Sequence, residues 1–320
     1  MYKTRITSAL LSVLLVISVT ICFTPTASSQ SAAIVAVHFI DVGQGDCIFI
    51  DTATNDVLID AGSASASQTV IDYLDYLNVT RIHLLIATHA HADHIGGIVD
   101  VLNCIPVNNV IFNNQTHTSA TYTNFITAAQ THNLTVAQRG QTFTLTKTAN
   151  LTVLNPTQPL EFSDQNDNSI VVKLQVQNTS FLFTGDAEEP AEQSMLTSSV
   201  VSVKCDVLKI GHHGSNTATS QAFLDLADPT YAIISAGLDN TYGHPHNQTT
   251  QKLQTKNVTT YCTINSGTIV AQTDGTTITF YSNPQPIPEI PTNIILPLFA
   301  ATTLLAVIGY RKKLTKHNTS

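Results

Sequence analysis

Three imidazoles and a carboxylate fall within the stretch Thr88-His89-Ala90-His91-Ala92-Asp93-His94, a density of hard and borderline donors that suits a divalent metal ion. The apolar run Ile82 to Ala87 reads as a buried strand that delivers the backbone to a loop. There His89 and His91, two residues apart, can turn their rings to one point. Asp93 and His94 fall at the start of a following helix (His94 to Leu102), from which they can face a second ion nearby. A structural zinc site would recruit cysteine and close at four ligands; this stretch offers imidazole and carboxylate only.

Further polar clusters stand at the ends of other apolar runs. Phe181-Leu-Phe183 ends at Gly185-Asp186, and Asp206 to Ile210 ends at Gly211-His212-His213-Gly214-Ser215. The run Tyr231 to Ser235 leads to Gly243-His244-Pro245-His246, and Ile34 to Ile40 leads to Asp41-Val-Gly-Gln-Gly-Asp46. Asp41 and Asp46 flank a Gly-rich bend, which reads either as a set of amides facing an anion or as a bulge with capping carboxylates. Asp60, closing Val57-Leu-Ile59, reads as an acceptor that orients a ligand histidine or as a plain turn residue. His244 offers a general acid to a leaving group, a phosphate contact or a structural hydrogen bond.

The elements that must position these residues follow from periodicity. The first half reads as three strands (34–40, 48–50, 57–59), a helix at Gln68 to Asn78 with Val70, Ile71, Leu74 and Leu77 on one face, then the Ile82 strand and the histidine loop. After a strand at Val110 to Phe112, a helix at Ala120 to Gln130 and short strands within Thr142 to Leu154, a hairpin pairs Ile170–Val176 with Phe181–Phe183. Helices at Glu188 to Leu196, Gln221 to Leu226 and Gln248 to Lys256 then alternate with strands at Asp206, Tyr231 and Thr259, and a hairpin through Asp274-Gly275 closes the chain. Two similar halves, each with polar clusters at strand ends, predict an α/β fold of four layers, an αββα sandwich with the site on one edge.

In that order, Asp41-Val-Gly-Gln-Gly-Asp46, Leu58-Ile-Asp60-Ala-Gly62, Thr88 to Gly97, Phe183-Thr-Gly-Asp186, Gly211-His-His-Gly-Ser215 and Gly243-His-Pro-His246 resemble the metallo-β-lactamase fold. More narrowly, they are similar to the hydrolase-like domain of ComEC-like competence proteins over about residues 35 to 281. The resemblance implies two divalent ions, Zn or Mn: His89 and His91 on the first, Asp93, His94 and His212 on the second, and Asp186 bridging. It makes Asp93, Asp186 and His244 the groups nearest the chemistry, and puts Asp41, Asp46, His213, Ser215 and His246 toward substrate. Many relatives carry a third histidine for the first ion some twenty residues before Gly-Asp. Here the stretch reads Asp164-Gln-Asn-Asp-Asn-Ser169, so Asp164, Asp167 or Asn168 is the expected partial substitute, with Ser169 placed beside the ligands, and an oxygen-rich site would lean toward Mn²⁺ or Mg²⁺.

The rest of the 320 residues bounds the setting. Lys and Arg number 14 against 22 Asp and Glu, a net charge of -8 that argues against a broad electrostatic grip on nucleic acid, although bound cations would reverse the field at the site. Residues 1–30, with Lys3 and Arg5 before an apolar run and Ala27-Ser28-Ser29 after it, read as a secretory signal. The domain 31–282 precedes a Pro-rich linker at 283–291, an apolar segment at 292–310 and a basic tail at 311–320, which together read as a C-terminal anchor with the domain outside. That tail also resembles archaeal PEF-type sorting tails, which implies exchange for another anchor; the residues leave both fates open. Asn-x-Ser/Thr sequons at Asn78, Asn114, Asn133, Asn150, Asn178, Asn247, Asn257 and Asn318 fit a glycosylated exterior. Cys47, Cys104, Cys205 and Cys262 form no CxxC pair, which excludes zinc-finger and thioredoxin chemistry and leaves buried free thiols. The expected activity is hydrolysis of a phosphodiester, with DNA the leading substrate. The alternatives are a lactone, thioester or β-lactam hydrolase, and a surface binding module whose metals only brace the fold.

Overall fold

A computed structural model describes residues 34–52 and 54–282; the signal segment, linker, C-terminal segment and basic tail expected above lie outside them. In chain order the first part forms β1 (Val35–Phe39), β2 (Ile48–Asp51), β3 (Val57–Ile59), α1 (Ser67–Tyr76), β4 (Ile82–Ala87), α2 (Ala92–Ile95), α3 (Ile98–Cys104), β5 (Val107–Phe112), α4 (Ala120–Ala129) and β6 (Asn133–Val136). The second forms β7 (Thr142–Thr144), β8 (Ala149–Asn155), β9 (Val171–Val176), β10 (Thr179–Phe183), α5 (Glu189–Leu196), β11 (Val207–Lys209), α6 (Gln221–Ala227), β12 (Tyr231–Ile234), α7 (Asn247–Thr255), β13 (Thr259–Cys262), α8 (Thr263–Ser266), β14 (Ile269–Thr273) and β15 (Ile278–Ser282).

Two sheets result. One has the order β15-β14-β1-β2-β3-β4-β5-β6 and the other β13-β12-β11-β10-β9-β8-β7. The halves do not close separately, because β14 pairs antiparallel with β1 and carries the terminal hairpin back to the first sheet. Strand alternation builds the layers. Val35, Val37 and Phe39 of β1 meet Phe181 and Phe183 of β10 in the core between the sheets, while Leu58 and Leu85 point outward to Val70, Val101 and Phe125 of α1, α3 and α4. On the far side Leu182, Leu208 and Ile234 pack against Met195, Phe223 and Leu253 of α5, α6 and α7. This is the four-layer αββα sandwich.

The single helix expected at His94 to Leu102 is two, α2 and α3. The chain bends at Gly96-Gly97, where a Cβ on Gly97 would run into the carbonyl oxygen of Ala61. β3 to β6 run parallel, as do β10 to β13, so the carboxyl ends of both sets open on one edge. Cys47 and Cys205 are buried, Cys104 is exposed, and none of the four cysteines is bridged. Among the described residues no helix is long and apolar enough to cross a membrane.

One outward-facing residue of β1 carries a pH prediction. His38 hydrogen-bonds Tyr73 Oη through Nδ1 at 2.8 Å, and burial lowers its pKa to about 4. A histidine pKa lowered on folding contributes stability above the unfolded value near 6.5, and that stability is lost as pH falls toward 4. Urea unfolding of His38→Leu at pH 7 and pH 4 is expected to show a pH dependence smaller than the parent's by about 3 kcal/mol. An unchanged dependence contradicts the assignment.

Candidate metal centre

Every element that ends on the shared edge places a polar side chain there. β4 hands over Thr88 and His89, α2 carries Asp93 and His94, and β10 gives Asp186; β11 leads into the Gly211–Gly214 turn with His212 and His213. Asp186 is the hub. Its Oδ2 lies 3.2 Å from His94 Nε2, 3.5 Å from His213 Nε2, 3.7 Å from His212 Nε2 and 3.8 Å from His89 Nε2. Asp93 Oδ2 stands 3.3 Å from His213 Nε2, and His89 Nε2 lies 3.0 Å from His91 Nδ1.

Outer hydrogen bonds fix which nitrogen faces inward. His94 uses Nδ1 on Asp60 Oδ2 at 2.8 Å, and Asp60 is itself held by the Thr88 amide and hydroxyl. His213 donates from Nδ1 to the Ser235 carbonyl at 3.1 Å, and His212 pairs through Nδ1 with Glu188 Oε1 at 2.8 Å. His89 Nδ1 sits 3.3 Å from Ser169 Oγ, the oxygen that also accepts from the Asp186 amide. Each ring is thereby oriented with Nε2 toward Asp186, as metal-bound histidines are. The Nε2 atoms of His94 and His213 and the Oδ1 of Asp186 are buried with no hydrogen-bond partner. Buried polar atoms without partners are costly, and their convergence fits divalent cations.

The charge pattern agrees. Burial raises the Asp186 carboxyl, but the charges of His94 and His213 outweigh that and hold it well below the usual range. Burial lowers His94 and His213, yet the Asp186 carboxylate lifts both well above an ordinary histidine, with Asp60 adding to the effect at His94 and Asp46 and Asp93 at His213. The metal-free cluster therefore holds protons on both rings at neutral pH, and a metal must displace them. Affinity for Zn²⁺ is expected to strengthen from pH 6 to pH 8, with about two protons released per chain. Calorimetry in buffers of differing ionisation enthalpy measures this, and a release of zero protons refutes it.

The structure places several of these residues in surroundings other than those expected. His212, expected on the second ion, is partly exposed and tied to Glu188, while His213 is the buried ring beside Asp93 and His94. Both residues have left-handed backbone, φ 48° and 55°, so strand alternation does not predict which ring turns inward. Asp46 is buried behind His213 and paired with Lys209 rather than facing substrate. Gly45, with φ +137° and no room for a Cβ beside the Asp93 carbonyl, lets that bend pack onto α2. Asp41 accepts from the Gly43 amide and caps its own turn. Ser215 bonds Thr217, and His246 has both nitrogens engaged by main chain, Nδ1 by Asn216 N and Nε2 by Tyr242 O.

The expected substitutes for the missing histidine also turn away. Asp164 accepts from Asn166 N, Asp167 from Ala191 N, and Asn168 Nδ2 donates to Phe162 O, Asp164 O and Gln115 Oε1. Of that stretch, Ser169 contacts the cluster. His244 stands beside His212 with ring centres 5.4 Å apart. Burial and the rings of His212, His213 and His246 lower its pKa to about 4, so it is neutral near pH 7. Glu188 and His117 are residues that sequence reasoning passed over. Glu188 sits two positions after Asp186, which was a usable signal; His117 lies in a polar Asn/Thr run that offered none.

Comparison with known proteins agrees with the geometry. The chain matches the family model described as metallo-beta-lactamase superfamily over residues 40–123 and 161–237. It is 30% identical over 253 residues to ComE operon protein 3 of Bacillus subtilis, covering 73% of this chain and 32% of that protein. It is 32% identical over 238 residues to Recombination protein 2 of Haemophilus influenzae, covering 73% of this chain and 28% of that one. The chain thus spans about a third of the length of these curated relatives. Among solved structures, CmlA, a diiron beta-hydroxylase from Streptomyces venezuelae, shares the fold at a TM-score of 0.50 and 12% identity, over 78% of this chain and 54% of that one.

Proposed function

The chain belongs to the metallo-β-lactamase superfamily and is a metal-dependent hydrolase, and from that premise we propose that it is an exported, membrane-held phosphodiesterase with a two-ion centre. His89, His91 and Asp186 would hold the first ion, and Asp93, His94, His213 and Asp186 the second. When bound, such a pair supplies Lewis acidity toward a phosphoryl oxygen and a water acidified toward neutral pH. With the Asp164 to Asn168 side chains turned away, the donors are mostly imidazole, which favours zinc over the Mn²⁺ or Mg²⁺ of an oxygen-rich set.

The chain's own residues do the rest. Asp60 and the Ser235 carbonyl hold His94 and His213 in the tautomer that faces Asp186. His212, oriented by Glu188 and reaching solvent, donates a proton to the departing oxygen in place of His244. His244, neutral and with a buried unpartnered Nδ1, hydrogen-bonds the substrate. The observation that carries hydrolysis is the Asp186 hub with four imidazoles around it. The phosphodiester reading rests on the recombination named in one relative and on the motif resemblance to competence proteins. Incubating the full chain with single-stranded DNA and Mn²⁺ or Zn²⁺ tests it; cleavage no greater than that of Asp186→Ala sinks it.

One observation favours the second reading, a lactone, thioester or β-lactam hydrolase: Lys209 at the site is buried against Asp46 and offers no charge to a phosphate. Turnover of a chromogenic β-lactam or acyl lactone without nuclease activity would support it. Export is supported by the terminal segments and by the seven described sequon asparagines, all of them exposed. On intact cells, protease is expected to remove an epitope placed in residues 34–282. Full protection contradicts an outside domain.

A further inference from the structure

We propose that His117 supplies the third imidazole of the first ion site, replacing the histidine absent from residues 164–169. The inference rests on the metal-centre reading but not on the phosphodiester one.

His89 and His91 bring their ligand nitrogens within 3.0 Å of each other, and Asp186 adds one carboxylate at 3.8 Å from His89. These three protein donors, one of them shared with the second ion, make four with the water a catalytic ion keeps, and leave room for one further imidazole in a five-coordinate site. The loop expected to fill the gap does something else. Asn168 Nδ2 donates to Gln115 Oε1 at 3.0 Å, Gln165 Nε2 to the Thr116 carbonyl at 3.1 Å, Gln115 Nε2 to the Ser163 carbonyl at 2.8 Å, and Asn113 Nδ2 to the Asn168 carbonyl at 2.9 Å. The Asn-rich loop is a cradle for residues 113–116, and those residues lead directly into His117.

Topology makes the placement natural. β4 and β5 are parallel neighbours in register from Ile82 with Val107 to Ala87 with Phe112, so the loops after them emerge side by side. The His117 ring is half-buried, with its centre 6.2 Å from that of His91 and its plane at 82° to it. Ligand nitrogens on one zinc ion lie about 3.3 Å apart at Zn–N near 2.0–2.1 Å, with ring centres further out. His117 Nδ1 pairs with Ser119 Oγ at 2.9 Å, and Ser119 is the N-cap of α4, accepting from Tyr122 N. Nδ1 also accepts from the Ser119 amide at 3.3 Å, so both contacts of the ring fall on Nδ1 and Nε2 is the nitrogen left for a metal, which would take the place of its proton; His89, His94 and His213 likewise turn Nε2 inward.

The test is Zn²⁺ titration of the full chain against a competing chelator, with Co²⁺ absorption as a second readout. The wild type is expected to bind two equivalents. His117→Ala and His117→Gln are expected to retain one at wild-type affinity and to weaken the other by about tenfold or more, with the Co²⁺ band of that site losing intensity. Ser119→Ala, which keeps the imidazole and its contact with the Ser119 amide but removes the hydroxyl from Nδ1, is expected to weaken the same equivalent by a smaller factor. Two equivalents at wild-type affinity and an unchanged Co²⁺ spectrum in both His117 variants overturn the proposal. A His117-dependent second equivalent in a chain that cleaves no DNA leaves the proposal standing and removes only the substrate reading.

Discussion

Asp186→Ala is expected to give a folded chain that binds less than one tight equivalent of Zn²⁺ and has lost hydrolysis to background. Asp186 alone reaches His89 on one side of the cluster and His94, His212 and His213 on the other. Removing it breaks both ion sites at once and leaves two imidazoles that its charge had lifted well above the ordinary histidine range. Loss of an outer-shell partner typically costs a roughly 10–100-fold drop in metal affinity or activity, and loss of the shared carboxylate must exceed that. The fold survives, because the core between the sheets is built from strand residues such as Val37, Phe181 and Phe183. Metal content after dialysis and the rate on a diester give the two numbers. A variant with two equivalents bound and a rate within tenfold of the parent contradicts the hub.

The paired substitutions His213→Ala and His212→Ala are expected to separate. His213 is fully enclosed, faces Asp93 and Asp186, and is backed by the Ser235 carbonyl and Asp46. Its loss is expected to empty the second ion site and to lower kcat/KM more than a hundredfold. His212 reaches solvent and is held by Glu188, whose carboxyl is lowered first by that hydrogen bond. His212→Ala is expected to keep both ions and to lose about 10²-fold in kcat with KM little changed, with the loss smaller on a substrate whose leaving group needs no proton, as removal of a general acid does. Metal loss from His212→Ala with retention in His213→Ala would restore the assignment expected from sequence.

That pair also marks how far sequence reading goes. The edge location of the site was legible because Ile82 to Ala87, Phe181 to Phe183 and Asp206 to Ile210 are apolar runs that end in donors, and strand ends collect ligands in a layered fold. Asp186 was legible beside Gly185 for the same reason. The choice between His212 and His213 was not, since two successive left-handed residues set their ring directions and no side-chain pattern encodes that turn. Asp164, Asp167 and Asn168 misled because donor type was legible while their backbone partners were not. The return of β14 to β1 joins residues more than two hundred positions apart, beyond any local periodicity.

The proposed activity needs one centre, two ions and a phosphodiester substrate. Its most direct test is cleavage of single-stranded DNA by the full chain as Zn²⁺ or Mn²⁺ is added stepwise to the stripped protein, with Asp186→Ala alongside. Little cleavage is expected at one equivalent, full rate at two, and none in the variant at any loading. Cleavage that is absent at every loading, insensitive to chelation, or equal in the variant contradicts it.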